Sequence, residues 1–145
     1  MQTDYTAALR ARTNLIDRFM PGTELRLPSG RVFTFLGVAL HSETLAPYIV
    51  MTEAATGTRH AARPGAVRET GRIGNVPRLA GDTWRHRKGS LYTRLGKVAM
   101  TDEAFTLYVA HSDLVWWLRP NAMFDDGRFT REAQTAPLGE DALGA

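Results

Sequence analysis

Val32-Phe33-Thr34-Phe35-Leu36-Gly37 and Leu91-Tyr92-Thr93-Arg94-Leu95-Gly96 are the two stretches whose comparison decides the fold. With Gly30 placed on Gly89, an offset of 59, they agree at Thr34/Thr93, Leu36/Leu95 and Gly37/Gly96, and Val32/Leu91 and Phe33/Tyr92 are conservative. Further along, Ser42 meets Thr101, Glu43 meets Asp102 and Val50 meets Val109. Deleting three residues from the second copy then brings Arg63-Pro64 onto Arg119-Pro120, Ala66 onto Ala122 and Gly71-Arg72 onto Gly127-Arg128. Ten identities follow one order with one indel, the signature of a repeated structural unit.

Each copy reads as short strands rich in β-branched and aromatic residues, divided by Gly, Pro and polar turns. The runs are Thr23–Leu27, Val32–Leu40, Tyr48–Met51, Leu91–Met100, Phe105–Ala110 and Leu114–Leu118. Leu-Gly after an aromatic marks a bulge or a close backbone approach. Arg-Pro ends a strand, and Pro64 and Pro120 can each start a helical turn. Strands ending in one helical turn before a last strand describe an SH3-like barrel. Residues 4–19 predict an amphipathic helix, with Thr3 as cap, Pro21-Gly22 as stop, and Tyr5, Leu9, Leu15, Ile16 and Phe19 near one face. Its expected role is to cover a sheet. Expected, then, is a mainly β chain of two tandem small SH3-like β-barrel modules with an N-terminal amphipathic helix. The units are helix 1–22, first module 23–74, linker 75–81, second module 82–131 and a flexible tail 132–145. A module of about 50 residues is marginal alone, so helix and inter-copy packing must add burial.

Composition bounds the chemistry. The 145 residues are 43% hydrophobic and 23% charged, ordinary for a globular protein. No apolar run nears the ~20 residues of a membrane helix, and residues 1–4 lack a signal peptide's features, so a cytoplasmic chain without membrane partners is expected. The absence of cysteine excludes disulfides, thiolate zinc sites, iron–sulfur clusters and cysteine nucleophiles. The net charge of +3 hides an asymmetry: residues 59–88 carry eight basic and two acidic side chains, residues 125–145 two basic and five acidic. Sixteen of the 18 cations are Arg, whose planar fork suits phosphate and carboxylate.

The second copy reads His86-Arg87-Lys88-Gly89-Ser90-Leu91-Tyr92, then Leu95-Gly96, then Trp117-Leu118-Arg119-Pro120-Asn121-Ala122-Met123-Phe124. The first reads Leu36-Gly37-Val38-Ala39, His41-Ser42-Glu43-Thr44 and Arg63-Pro64. Together these resemble the bacterial domain-of-unknown-function family 1653, patterned H-x-K-G-x-x-Y, L-G-x-A-x-H-S-E-T and W-x-R-P-x-x-M-F. The resemblance covers about 100 residues and excludes the first helix and the tail. Copy one has Ala61 at the Trp position and Arg68 at the Phe position; copy two replaces H-S-E-T by Met100-Thr101-Asp102-Glu103. The resemblance implies a small β-barrel, a bacterial or phage source and no particular activity. It also implies that a single-copy site is split, each copy keeping half.

No catalytic or metal motif stands out. His41, His60, His86 and His111 lack metal-ligand spacing, and no P-loop, dinucleotide-binding or G-x-S-x-G pattern occurs. No cofactor is expected, and the chain reads as non-enzymatic. His41-Ser42-Glu43 cannot form a triad within a strand, because neighbours face opposite ways; it reads as a turn with Ser42 and Thr44 bonding local backbone, or as ligand-binding. Arg63 and Arg119 read either as corners ion-paired to Glu43 and Asp102 or as a clamp for phosphate or carboxylate. Trp117 is core or pocket wall; Trp116 packs on the helix or the other copy, or forms an exposed stacking platform. The first functional reading is therefore a binding protein for an anionic small molecule, nucleotide-like ligands among the candidates, using His41, Glu43, Arg63, Trp117 and Arg119. The alternatives are a nucleic-acid module using Arg72, Arg78, Arg85, Arg87 and Lys88 with Trp84 interleaved, and a protein-interaction adaptor. The oligomeric state stays open.

Overall fold

The computed structural model describes residues 2–77, 79–100 and 103–132. Residues 133–145 of the expected tail, Arg78 and Asp102 therefore fall outside the described residues. Helix α1 (Gln2–Arg18) leads into β1 (Thr23–Arg26), β2 (Val32–His41), β3 (Pro47–Glu53), β4 (Arg59–Ala62), a 3₁₀ turn at Pro64–Ala66 and β5 (Arg68–Ile73). Then follow β6 (Asp82–His86), β7 (Leu91–Met100), β8 (Glu103–Ala110), β9 (Trp116–Pro120), a four-residue helix α2 (Asn121–Phe124) and β10 (Phe129–Arg131). The chain is mainly β. No helix among the described residues is long and apolar enough to cross a membrane.

The sheet closes on itself. β2, β3, β4, β7, β8 and β9 form one six-stranded ring, with β1 and β5 branching from β2 and with β6 and β10 branching from β7. Two separate barrels were expected. Instead β4 pairs in parallel with β7, and β9 in parallel with β2, so each half lends three strands to one barrel. The reason is backbone satisfaction: a four-residue β4 left as an edge exposes unpaired N–H and C=O groups, and the other half's long strand covers them. The barrel interior mixes Leu36, Ala39 and Val50 with Val98, Leu107 and Leu118. Outside it, each half keeps its own layer. Leu25, Phe33, Phe35, Ile49 and Met51 pack under Phe19 of the helix segment, and Tyr108, Phe124 and Phe129 pack with Trp84 and Tyr92.

Pairing register refines the internal match. Both long hairpins bulge at the expected glycines, Phe35/Gly37 and Arg94/Gly96. Gly37 pairs with Val50, but Gly96 pairs with Leu107, so Val50 corresponds to Leu107 and not to Val109. The next hairpins carry this on: Ile49 pairs with Ala62, Thr106 with Arg119. Arg119 thus takes the place of Ala62, and Arg63 that of Pro120. The two Arg-Pro corners, expected to be equivalent, are one residue out of step. In a strand that turns the side chains to opposite faces.

Close approaches at the bulges tie the halves together. A Cβ on Gly37 would lie 2.8 Å from the Trp116 ring. On the other side of the barrel, Arg59 reaches over Gly96 and donates to the Leu95 carbonyl. Trp116 therefore packs on the opposite half and inside the barrel. It is Tyr5 that α1 lays on Trp117, the rings stacked at 6.0 Å. Ile16, expected on the buried helix face, is exposed. We expect Gly37→Val to destabilise the fold by about 1–3 kcal/mol through overpacking. Trp116→Leu should relieve part of that loss in the double variant, read as non-additive urea midpoints.

Ionisable groups add an acid-sensitive element. Arg31 grips Glu53 with two bonds, 2.9 and 2.7 Å, and holds its carboxyl down at about 2. His60 beside them is lowered by burial and by Arg31. His86 is lowered by burial and then by Lys88 and Arg119. All three shifts favour the deprotonated form, so the unfolded chain binds more protons and stability falls as pH drops. The loss should begin as pH passes the ordinary histidine value of 6.5 and continue below 4.5. In Glu53→Gln, urea midpoints measured against pH should keep the first phase and lack most of the second.

Candidate functional site

The five residues expected to form one site are distributed over three hollows. The reason lies in the turn after β2. Residues 42–44 are a turn, so His41, Ser42 and Glu43 each face a different hollow. His41, not Ser42, supplies the cap: its Nδ1 accepts the Glu43 and Thr44 backbone N–H groups at 3.1 and 3.4 Å. Thr44 Oγ1 accepts from the Ala46 N–H as expected, whereas Ser42 Oγ is buried with no hydrogen-bond partner.

A hollow of about 800 Å³ lies across the seam between halves. The first half contributes His41, Tyr48 and Arg63; the second contributes Met100, Glu103 and Phe105. Arg63 is exposed and its guanidinium carbon stands 5.2 Å from the Tyr48 ring centre. No ion pair of Arg63 with Glu43, or with any other carboxylate among the described residues, is present. His41 sits edge-on to Phe105 at 5.4 Å. Because Nδ1 is an acceptor, the neutral ring carries its proton on Nε2 and has a donor to spare.

A smaller hollow, about 280 Å³, contains Trp117 and Arg119. Tyr5, Tyr92, Tyr108, Ser42, Ser112 and Asp113 complete most of its wall. Arg119 Nε donates to Tyr108 Oη at 3.0 Å, and its guanidinium lies over the Tyr108 and Phe129 rings. Burial raises the Tyr108 phenol, with the Arg119 hydrogen bond opposing it. Among the described residues Arg119 has no carboxylate partner. Tyr5 Oη donates to Asp113 Oδ2 at 3.3 Å, and Asp113 Oδ1 accepts from the Val115 N–H at 3.1 Å. The helix was expected only to cover a sheet, and the part Tyr5 plays here could not be read from periodicity. Glu43 stands in neither hollow; it lines a third one, with Asp4 and Thr44, beside α1.

The basic segment does not gather into one stripe. Arg72 lies on β5, at one end of the strand order, while Arg85 lies on β6, paired with the strand at the other end. Arg85 is committed to Glu132 at 3.0 Å and to the Gly89 carbonyl. Arg87 and Lys88 are exposed in the β6–β7 turn, and Trp84 packs beneath Arg94. No group of three or more His, Asp or Glu side chains that could hold a metal ion occurs among the described residues. Compared with known proteins, the chain matches no family model and no curated protein.

The Tyr108–Arg119 contact can be tested directly. Tyr108→Phe keeps the ring and deletes the acceptor, so thermal or urea denaturation should register a loss of about 1.5 kcal/mol, the lower end for a bond to a charged group that keeps access to water.

Proposed function

We propose that the chain is a non-enzymatic, cytoplasmic binding protein for an anionic small molecule of nucleotide-like size, held in the hollow at the seam. The observation that carries this reading is Arg63, which stands over Tyr48 without a carboxylate partner among the described residues, beside His41 in a hollow of about 800 Å³. Small-molecule sites occupy that size range. The guanidinium fork can take a phosphate or carboxylate in two parallel bonds. His41 Nε2 offers another donor, and Tyr48 and Phe105 offer apolar ring surface. Glu103, the negative wall residue, can accept from a sugar hydroxyl or a base amino group, which a nucleotide has and inorganic phosphate does not.

The same proposal takes residues 23–74 and 82–131 as two diverged copies of one β module, joined by 75–81, with helix 1–22 before them and tail 132–145 after. The repeated pairing pattern and the paired glycine bulges support it. The motif resemblance to family 1653 supports it from the sequence side. The nucleic-acid alternative has less support, since its basic residues stand at both ends of the strand order and Arg85 is already paired. The adaptor reading has no specific contact in its favour.

Thermal denaturation with nucleoside monophosphates and with inorganic phosphate tests the reading. The nucleotides should raise the melting temperature, phosphate alone should do so less, and Arg63→Ala should abolish the shift with its own melting temperature little changed. No shift with any nucleotide at low salt, or a full shift in Arg63→Ala, would overturn it. A gel retardation of DNA or RNA that vanishes with salt and with Arg87→Ala/Lys88→Ala would instead favour the nucleic-acid module.

A further inference from the structure

Matching the halves by register exposes a chemical difference between their outer layers. Where the first half has Phe33, Phe35, Ile49, Met51 and Ala62, the second has Tyr92, Arg94, Thr106, Tyr108 and Arg119. An apolar layer has become one with two cations and three hydroxyls. Burying such groups costs stability unless each finds a partner. Arg94 has found its partners: it lies 3.3 Å from Asp125 and over the Trp84 and Phe124 rings. Arg119 has one bond, to Tyr108, and that bond uses only Nε. Its two terminal nitrogens remain free of carboxylates among the described residues.

The hollow that Arg119 lines is also lined by Asp113, and the two are not within ion-pair distance of each other. Four aromatic side chains, Tyr5, Tyr92, Tyr108 and Trp117, stand in the same wall. Ser42 lines it as well, with its Oγ buried behind the wall and without a hydrogen-bond partner. At about 280 Å³ the space lies just below the usual range of small-molecule sites and suits a smaller ligand than the seam hollow does. Its wall carries one positive and one negative charge, so a bare anion would meet Asp113 and a bare cation would meet Arg119. A molecule bearing both charges meets neither objection.

We propose that this hollow is a second, separate site, for a small zwitterion that carries a carboxylate and an ammonium, of amino-acid or betaine type. The carboxylate takes the two terminal nitrogens of Arg119. The ammonium lies among the tyrosine and tryptophan rings on the Asp113 side, where ring quadrupoles and the carboxylate both attract it. Tyr5, brought by α1, closes the wall over Trp117, so binding depends on the helix being docked.

Isothermal titration of the full chain with glycine betaine, with L-alanine, and with acetate and tetramethylammonium as single-charge controls tests this. At least one zwitterion should bind, and each control should bind at least tenfold more weakly. Arg119→Lys, which keeps the charge and loses the fork, should weaken zwitterion binding at least tenfold. Asp113→Asn, which keeps an oxygen for the Val115 N–H, should do the same and improve acetate relative to the zwitterion. The proposal is overturned if neither zwitterion binds at millimolar concentration, if acetate binds as well as they do, or if Asp113→Asn leaves zwitterion affinity unchanged.

Discussion

Parallel pairing across the seam, β4 on β7 and β9 on β2, is the constraint on which the rest of the molecule depends. Each half brings a short strand whose outer edge would be unpaired in isolation, and each covers it with the long bulged strand of the other half. The exchange closes a six-stranded barrel and gives it a shared interior. It also forces the close approaches at Gly37 and Gly96, where a tryptophan from one half and an arginine from the other lie against backbone. Only a residue without a Cβ leaves room for the Trp116 ring at the first of these.

With the interior shared, the outer layers of the two halves differ. The first half packs phenylalanine, isoleucine and methionine under the N-terminal helix, an ordinary apolar layer worth roughly 1.5–3 kcal/mol for each large side chain fully buried. The second half places arginines among aromatic rings. Those rings both shield the guanidinium groups and attract them, so cations can sit where the first half tolerates only carbon. Both hollows proposed as sites follow from this arrangement. The larger opens where the halves meet, and the smaller opens where the helix, two turns and the polar layer converge.

Much of the strand content was legible. Val32–Leu40 and Leu91–Met100 announced themselves by β-branched and aromatic composition, and both leucine-glycine pairs sit at the bulges the pattern implied. β4, β5, β6 and β10 were not marked out as apolar runs, because they are short and rich in Arg, His, Asp and Thr. Their place in the sheet comes from backbone bonds to neighbours far away in sequence. Arg85 and His86 accordingly lie in a strand that no apolar run announced. The Arg-Pro corners misled for a related reason. Identity suggested equivalence, while the hairpin between β2 and β3 is two residues longer than its counterpart, and the register moves with it.

Sequence alone determined that the chain is mainly β, repeats a bulged strand motif, begins with an amphipathic helix and has no cysteine chemistry. Those properties are local: they follow from side-chain type, spacing and glycine placement. Which residues share a hollow was decided only by tertiary structure. A turn sends His41, Ser42 and Glu43 three ways, and a one-residue offset turns Arg63 and Arg119 to opposite faces. The seam then brings Phe105 to His41 and Tyr5 to Trp117. Those partners are set by strand register and barrel closure, which depend on long-range hydrogen bonds that no local pattern encodes.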